Sequence, residues 1–413
     1  MSAKFSAFVV TASLAVSGAM LCLAPQAATA QQKDAKALNP KVGTPLQAAL
    51  AAGKNKQFDV ALAKVKEADA EKKTPYEGYK INETLAFIYG AQKDYPKLAS
   101  IYEKMLETPQ FLGEGSPINT KTLAQLYASI NQYPKAIEYS KRWLQDKPND
   151  AEVLSMLGQS YYQTKDYKSC KETMTSAIAG VEKNGGKPAE GWLLFARSCS
   201  DALGDSATAA QVLEKLCRSY PKPEVWQSYI RSMSRGSADL PGFHWARLSN
   251  EVGVLKDAED YSNFAQQAML VYGTPSEALR VVEQGFKKQI LGADAKTKVR
   301  HDILLTKAKE AALADKAKWP QMAAEAEQDP TGAKSAAMGM SYFGAEQWDQ
   351  AIAYFDKALK KGGLKDTANV KLTLGIAHLQ KGQRDTARSE FKAVSTDPVL
   401  GKVASAWTIR SYN

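Results

Sequence analysis

The chain has 413 residues, 44% of them hydrophobic, and a formal charge of +10; that is apolar material for a sizeable core and length for two or three domains, unless a repeat overrides the count. Lysines stand beside Asp and Glu with only brief pairs such as Lys72-Lys73, Lys287-Lys288 and Lys360-Lys361, which is the pattern of solvated helix faces. A concentrated nucleic-acid footprint is thereby excluded, and the aromatics fall at helical core spacing instead of alternating with Arg along a stacking platform.

In chain order, residues 1–30 read as an export signal: Lys4 gives the positive start, Phe8 to Leu23 the apolar stretch, and Ala28-Thr29-Ala30 a small-residue cleavage site, so that the mature chain begins at Gln31. Loss of Lys4 leaves +9. Ser13, Ser17, Gly18 and Pro25 interrupt the apolar run, which argues against an uncleaved anchor. Ala19-Met20-Leu21 before Cys22 is not the small-residue run that lipoprotein processing uses. Gln31 to Gly43 is polar, and residues 31–43 are expected to be disordered. No later stretch has the apolar length of a membrane helix, so no integral membrane segment is expected after cleavage.

Self-similarity then organises the chain, because a repeat cannot close its own core and must stack on its neighbours. From Pro117 the chain places Leu123, Ala124, Tyr127, Tyr133, Ala136 and Pro148; from Ala151, 34 residues on, it places Leu157, Gly158, Tyr161, Tyr167, Cys170 and Ala177. Small residues at Ala124, Gly158, Ala136 and Cys170 allow helices to approach closely while Leu and Tyr fill the space around them. Upstream, Phe58, Ala61, Val65 and Ala68 form one second helix, and Leu85, Ala86, Tyr89, Tyr95, Leu98, Tyr102 and Met105 a full unit before the turn-rich stretch at Phe111 to Pro117. Downstream units carry Trp192, Phe195, Ala196, Ala209, Leu213 and Leu216, then Ala265, Met269, Ala278, Val282 and Gly285. The clearest late copies are Met338, Gly339, Tyr342, Trp348, Ala351, Phe355 and Ala358, followed by Leu374, Gly375, His378, Ala387, Phe391, Val394 and Pro398. Weaker pairs are expected at Val225 to Asp257 and at Thr297 to Gln328, where Pro320 follows Trp319. Val399 to Tyr412 reads as a closing helix with a solvent-facing outer side. The expected organisation is therefore a signal peptide at 1–30, a disordered segment at 31–43, repeats at 44–222, degenerate helical repeats at 223–330, and repeats with a capping helix at 331–413.

This pattern of a large-small pair, an aromatic one turn later and a small residue opening the second helix resembles tetratricopeptide-repeat proteins. Stretches such as Tyr79 to Tyr89, Ala124 to Asp150 and Leu364 to Gln380 resemble secreted or periplasmic members of Gram-negative bacteria. The resemblance implies an all-α, right-handed superhelical solenoid of helix hairpins with a concave groove that takes peptides, helices or extended segments. It implies that the first helix of each pair lines the groove. In frame these positions are Lys121, Gln125 and Ser129; Glu152, Ser155, Gln159 and Tyr162; Arg197 and Asp201; Asp260, Asn263 and Gln267; Met340 and Phe343; and Asn369, Leu372, Ile376 and Leu379. The earlier ones can hydrogen-bond a peptide backbone and the last are apolar enough to accept a hydrophobic side chain. The clamp of Lys and Asn by which chaperone-binding relatives hold a terminal carboxylate is not matched: Lys121 fits one place, but Gln125 and Gln159 stand where Asn is expected.

Cys170, Cys199 and Cys217 remain after signal removal, an odd number in a compartment that export makes oxidising. On the repeat frame Cys170 and Cys199 lie towards one edge, so a disulfide between them is sterically allowed; three buried thiols is the equal alternative. The Cys and His spacings lack the close pairs of zinc sites, so no metal is expected. His244, His301 and His378 are isolated, and no nucleophile elbow, phosphate loop or H-E-x-x-H run is present. Acids at Asp257, Glu259 and Asp260, and at Glu325 and Glu327, fall beside helix ends, where they cap or solvate. No catalytic residue and no cofactor is expected. The reading is a non-enzymatic periplasmic scaffold or adaptor for a protein or peptide partner in an envelope assembly or transport complex. A cell-wall or polysaccharide-associated module is the alternative, and a hydrolase with a site between repeats a remote one.

Overall fold

A computed structural model describes residues 37–113, 116–237 and 239–413; the expected signal peptide and the first part of the 31–43 segment lie outside the described residues. The described chain is all helix and turn. Packing divides it after Asn119. The first unit holds α1 (Pro40–Lys54), α2 (Phe58–Asp69), α3 (Pro75–Gln92) and α4 (Tyr95–Leu106), then a single 3-10 turn at Pro109–Phe111. The second unit holds α5 (Thr120–Ser129), α6 (Tyr133–Asp146), α7 (Ala151–Gln163), α8 (Tyr167–Lys183), α9 (Glu190–Ala202), α10 (Ser206–Ser219), α11 (Pro223–Met233), α12 (Asp239–Glu251), α13 (Ala258–Leu270) and α14 (Pro275–Lys287). It continues through α15 (Ala295–Gln328), α16 (Ala333–Gly344), α17 (Trp348–Lys361), α18 (Thr367–Gln380), α19 (Arg384–Val394) and α20 (Gly401–Arg410). Within each unit, consecutive helices pack as antiparallel hairpins, the all-α repeat expected from the stride.

Most hairpins close by one device. A residue one or two positions past the first helix adopts the left-handed region, as at Lys93, Asn131, Lys165 and Glu346, with Gly204 and Gly382 serving where the backbone is freest. The next N–H then reaches back five residues: Asp166 donates to the Tyr161 carbonyl and Gln383 to the His378 carbonyl, both at 2.9 Å. Where that next residue is Asp, its carboxylate caps the second helix, Asp166 accepting from Ser169 N–H and Asp205 from Thr208 N–H. One dipeptide thus ends one helix and starts the next.

The small residues act as the stride implies. A Cβ on Gly339 would stand 2.6 Å from the Phe355 ring, and one on Gly375 2.6 Å from the Phe391 ring, so each glycine is the socket for the aromatic of its second helix. Val225 to Asp257 forms the expected pair, α11 and α12.

Three expectations are corrected. The polar segment to Gly43 is helical from Pro40: Asn39 caps α1, its own N–H donates to Glu77 at 2.7 Å, and Val42 is fully buried. Thr297 to Gln328 is not a pair but part of one 34-residue helix, α15, with Pro320 inside it. Proline removes one backbone bond, yet no Gly or Asn in that run offers a turn, and the Ala, Lys and Glu around it are strong helix formers. Finally, α20 keeps an outer side open to solvent at Lys402 and Ser405, as expected of a closing helix, but it is more than a cap on the last hairpin. Val403, Ala404, Ala406, Trp407 and Ile409 are all buried, because α20 packs on α10 and α12 as well as on α19. Arg410 donates to Glu251 at 2.8 Å and Asn413 to the Cys217 carbonyl at 3.0 Å, contacts spanning 159 and 196 residues.

Cys170, opening α8, and Cys199, late in α9, are disulfide-bonded with Cα atoms 6.1 Å apart, while Cys217 is a buried free thiol whose pKa burial pushes up to about 12. The bond joins neighbouring hairpins and stabilises by about 2–4 kcal/mol.

If the glycines are sockets, Gly375→Ala or Gly339→Ala will lower unfolding free energy by roughly 1–3 kcal/mol in denaturant melts. Gly180→Ala, in α8 with open space where its Cβ would stand, will raise it by about 0.5–1 kcal/mol.

Candidate functional site

The first-helix positions separate into three groups. Lys121 bridges Asp150 at 3.1 Å and Glu152 at 2.7 Å, and Gln125 donates to Glu152 at 3.4 Å, so α5 is tied to α7 across its polar face. Gln159 donates to Ser155, Tyr162 sits edge-on to Tyr167 and Phe195, and Arg197 pairs with Asp201; Gln159, Tyr162 and Arg197 keep part of their side chains open to solvent, whereas Ser155, expected on the groove, is buried on the packed side of α7. Asn263 is exposed and Gln267 half-buried; with Asp260 and the facing Asp239 and Ser249 they line a cleft of about 260 Å³. The third group does not face solvent as expected. Phe343, Leu372 and Ile376 are buried, Leu379 nearly so, and Met340 packs against the same core, because α12 and α20 fill the space those faces would otherwise open on.

Asn369 is half-buried for a specific reason: its Oδ1 lies 2.8 Å from His244 Nε2. His244 and Arg247 share one face of α12 at a spacing of three residues. Arg247 makes two bonds of 2.7 Å to Glu277 in the first turn of α14, and its Nη1 lies 3.2 Å from His244 Nδ1. A guanidinium has no acceptor, so Nδ1 is the bare nitrogen and Nε2–H donates to Asn369. The rings of Phe243 and Phe343 flank the Arg247 guanidinium at 4.6 and 4.9 Å. Burial acts to raise the Glu277 pKa, but the Arg247 charge and hydrogen bonds outweigh it and hold the carboxyl below its ordinary range. Burial, reinforced by Arg247, pushes His244 down to about 3, leaving it neutral at physiological pH.

Above this cluster opens a cleft of about 440 Å³ drawn from α12, α14, α16, α18, α20 and the start of α17. Arg247, Glu277 and Phe343 contribute to its wall, with Asn250, Trp348 and Trp407. Arg280 bonds the Gly344 carbonyl and pairs with Glu346 at 3.0 Å; Glu251 accepts from Gln380 and Arg410. Two polar atoms on this wall, Trp407 Nε1 and Asn250 Oδ1, make no hydrogen bond among the described residues. None of Arg247, Glu277, Asn250 or Trp407 stands out in the sequence; an arginine within Phe243-His244-Trp245-Ala246-Arg247-Leu248 is the only local hint.

These hairpins define a helical-repeat protein of the tetratricopeptide type. Residues 336–398 match the tetratricopeptide repeat family, and residues 129–216 match the family described as anaphase-promoting complex, cyclosome, subunit 3. Among solved structures, a tetratricopeptide repeat protein from Parabacteroides merdae is 11% identical, with 91% of this chain and 100% of that one covered and a TM-score of 0.32. Yeast Tom70 is 11% identical, over 90% of this chain and 95% of that one, with a TM-score of 0.24. No curated protein matches the sequence. The repeat type therefore rests on the two matched stretches and on the hairpins themselves. Repeats of this kind generally mediate protein–protein contacts, and no described helix is long and apolar enough to cross a membrane.

Removing one side of the buried pair strands the other charge, so Glu277→Gln will cost about 3–5 kcal/mol, and Arg247→Met combined with Glu277→Leu far less than the sum of the two single changes, read as a double-mutant cycle. Unfolded His244 takes up a proton near its ordinary value of 6.5 and folded His244 only near 3, so its contribution is complete above pH 6.5 and is lost as pH falls towards 3. Stability will fall in that window by up to about 1.4 kcal/mol per pH unit, and His244→Gln will flatten the slope.

Proposed function

We propose that this chain is an exported, non-catalytic scaffold that holds a protein partner in the cell envelope. The carrying observation is that the first helices of the early hairpins in the second unit keep Gln125, Gln159, Tyr162 and Arg197 partly open to solvent on regular, rigid elements, the kind of surface that hydrogen-bonds an extended peptide or accepts a helix. Export is supported by the leader pattern at residues 1–30, and the Cys170–Cys199 bond fits an oxidising compartment.

A photo-crosslinking residue at Gln125 or Gln159, in the protein expressed with its own leader in a Gram-negative host, will capture a discrete envelope protein. N-terminal sequencing of the extracytoplasmic fraction will begin at Gln31. Retention in the cytosol with Met1 intact, or cross-links to nothing but the chain itself, would overturn the reading.

A further inference from the structure

The outer face of α15 carries a pattern that hairpin packing does not require. At 34 residues α15 is the longest helix among the described residues, α3 being next at 18. Its inward stripe, His301, Leu304, Ala308 and Ala312, is buried. On the opposite side Val299, Ile303, Thr306, Glu310, Leu313 and Ala317 follow one another at steps of four, three, four, three and four residues. All six are exposed, Val299 and Leu313 to 69% and Ile303 to 50%. Steps alternating between four and three hold to one narrow line along a helix, which is the seam of a coiled coil. From Val299 to Ala317 that line runs about 27 Å at the helical rise of 1.5 Å per residue.

A second, independent observation is electrostatic. The positions flanking the seam hold Arg300, Asp302, Lys307, Lys309, Ala314 and Lys316. Asp302 is paired with Lys298 at 2.7 Å. The side chains of Arg300, Lys307, Lys309 and Lys316 are exposed and make no hydrogen bond or ion pair among the described residues. Flanking charges of this kind select the partner of a coiled coil. A second copy of α15 would set cation against cation whichever way it ran, so the charges oppose self-pairing. A helix that lies in a membrane surface has a broad apolar face rich in Trp, Phe or Leu, whereas this stripe takes two residues in seven and includes Thr306 and Glu310. The complement is another helix, apolar at every third and fourth position and acidic on both flanks. Glu310 stands on the seam itself, and a single basic residue facing it would fix the register.

We infer that the outer face of α15 docks an amphipathic helix of a partner protein, with an apolar seam and acidic flanks, in a coiled-coil arrangement. The surface belongs to a different element from the α5, α7 and α9 faces of the scaffold reading, so the inference goes beyond that reading and does not depend on it. It also gives the continuity of α15 a use, since a turn near Glu310 would cut the seam in two.

Calorimetric titration of the full mature chain tests it. The probe is a synthetic helix of about four heptads with Leu and Ala on the seam, one Lys placed to meet Glu310, and Glu on both flanks; a peptide of the same composition in scrambled order is the control. The ordered probe is expected to bind and the scrambled one not. Ile303→Asp or Leu313→Asp, both exposed changes that leave the thermal melt of the chain unaltered, are expected to weaken binding about tenfold or more. Lys307→Glu combined with Lys309→Glu is expected to lower affinity for this probe and to raise it for one with Lys on the flanks. Equal binding of the ordered and scrambled probes, or an unchanged affinity in Ile303→Asp, would overturn the inference. So would phosphatidylglycerol vesicles, or a second copy of the chain, engaging Ile303 and Leu313 in place of the probe. Failure here alongside a captured partner at Gln125 or Gln159 would remove this surface and leave the scaffold reading standing.

Discussion

The second unit turns on one buried cation. Arg247 lies in an apolar interior where an unpaired guanidinium is untenable, and it is accommodated because four helices bring it a partner at once: α14 a carboxylate, α16 an aromatic face, α12 itself a histidine nitrogen and a second ring, and α18 an asparagine that fixes that histidine's tautomer. Such a cluster adds little net free energy relative to a well-packed apolar one. What it supplies is uniqueness, since any other docking of α12 against the C-terminal hairpins leaves a charge or a ring nitrogen unsatisfied.

Around that point two kinds of order coexist. Hairpin to hairpin within the second unit, the order is quasi-one-dimensional: a left-handed turn residue, an aspartate cap and a glycine socket recur, and each hairpin touches the next. Within the second unit, α20 and the end of the chain also reach back to α10 and α12, so residues near 410 share a core with residues near 220 and 245. The long-range docking decides which repeat faces remain available. The faces of α5, α7 and α9 keep polar side chains partly in water, whereas those of α16 and α18 are spent on internal packing and give up their exposure in return for the cleft.

The stride, the glycine and alanine positions and the aromatic sockets are legible in the linear chain, as is the allowed pairing of Cys170 with Cys199, because each depends on contacts within one or two hairpins. Two of the differences share one origin. Leu372, Ile376 and Leu379 look like groove residues in the frame of their own repeat, and Val399 to Tyr412 like a cap, until the partner surface 130 to 200 residues away is in place. The continuous α15 has a different cause: Pro320 suggests a break, but nothing in the run offers a turn, and the helix continues through it. Among the positions singled out for binding, Gln125, Gln159 and Arg197 lie on partly open faces, and Phe343 does not.

The linear chain by itself determines the helix hairpins and their spacing, since periodicity, turn residues and small-residue sockets act over a few tens of residues. Only the tertiary structure decides that Arg247 meets Glu277, that Trp407 turns inward with an unmet N–H, and that an acidic cleft opens between them. Those pairings depend on where distant hairpins come to rest, and a repeat pattern, being the same in every copy, carries no record of which copies will meet.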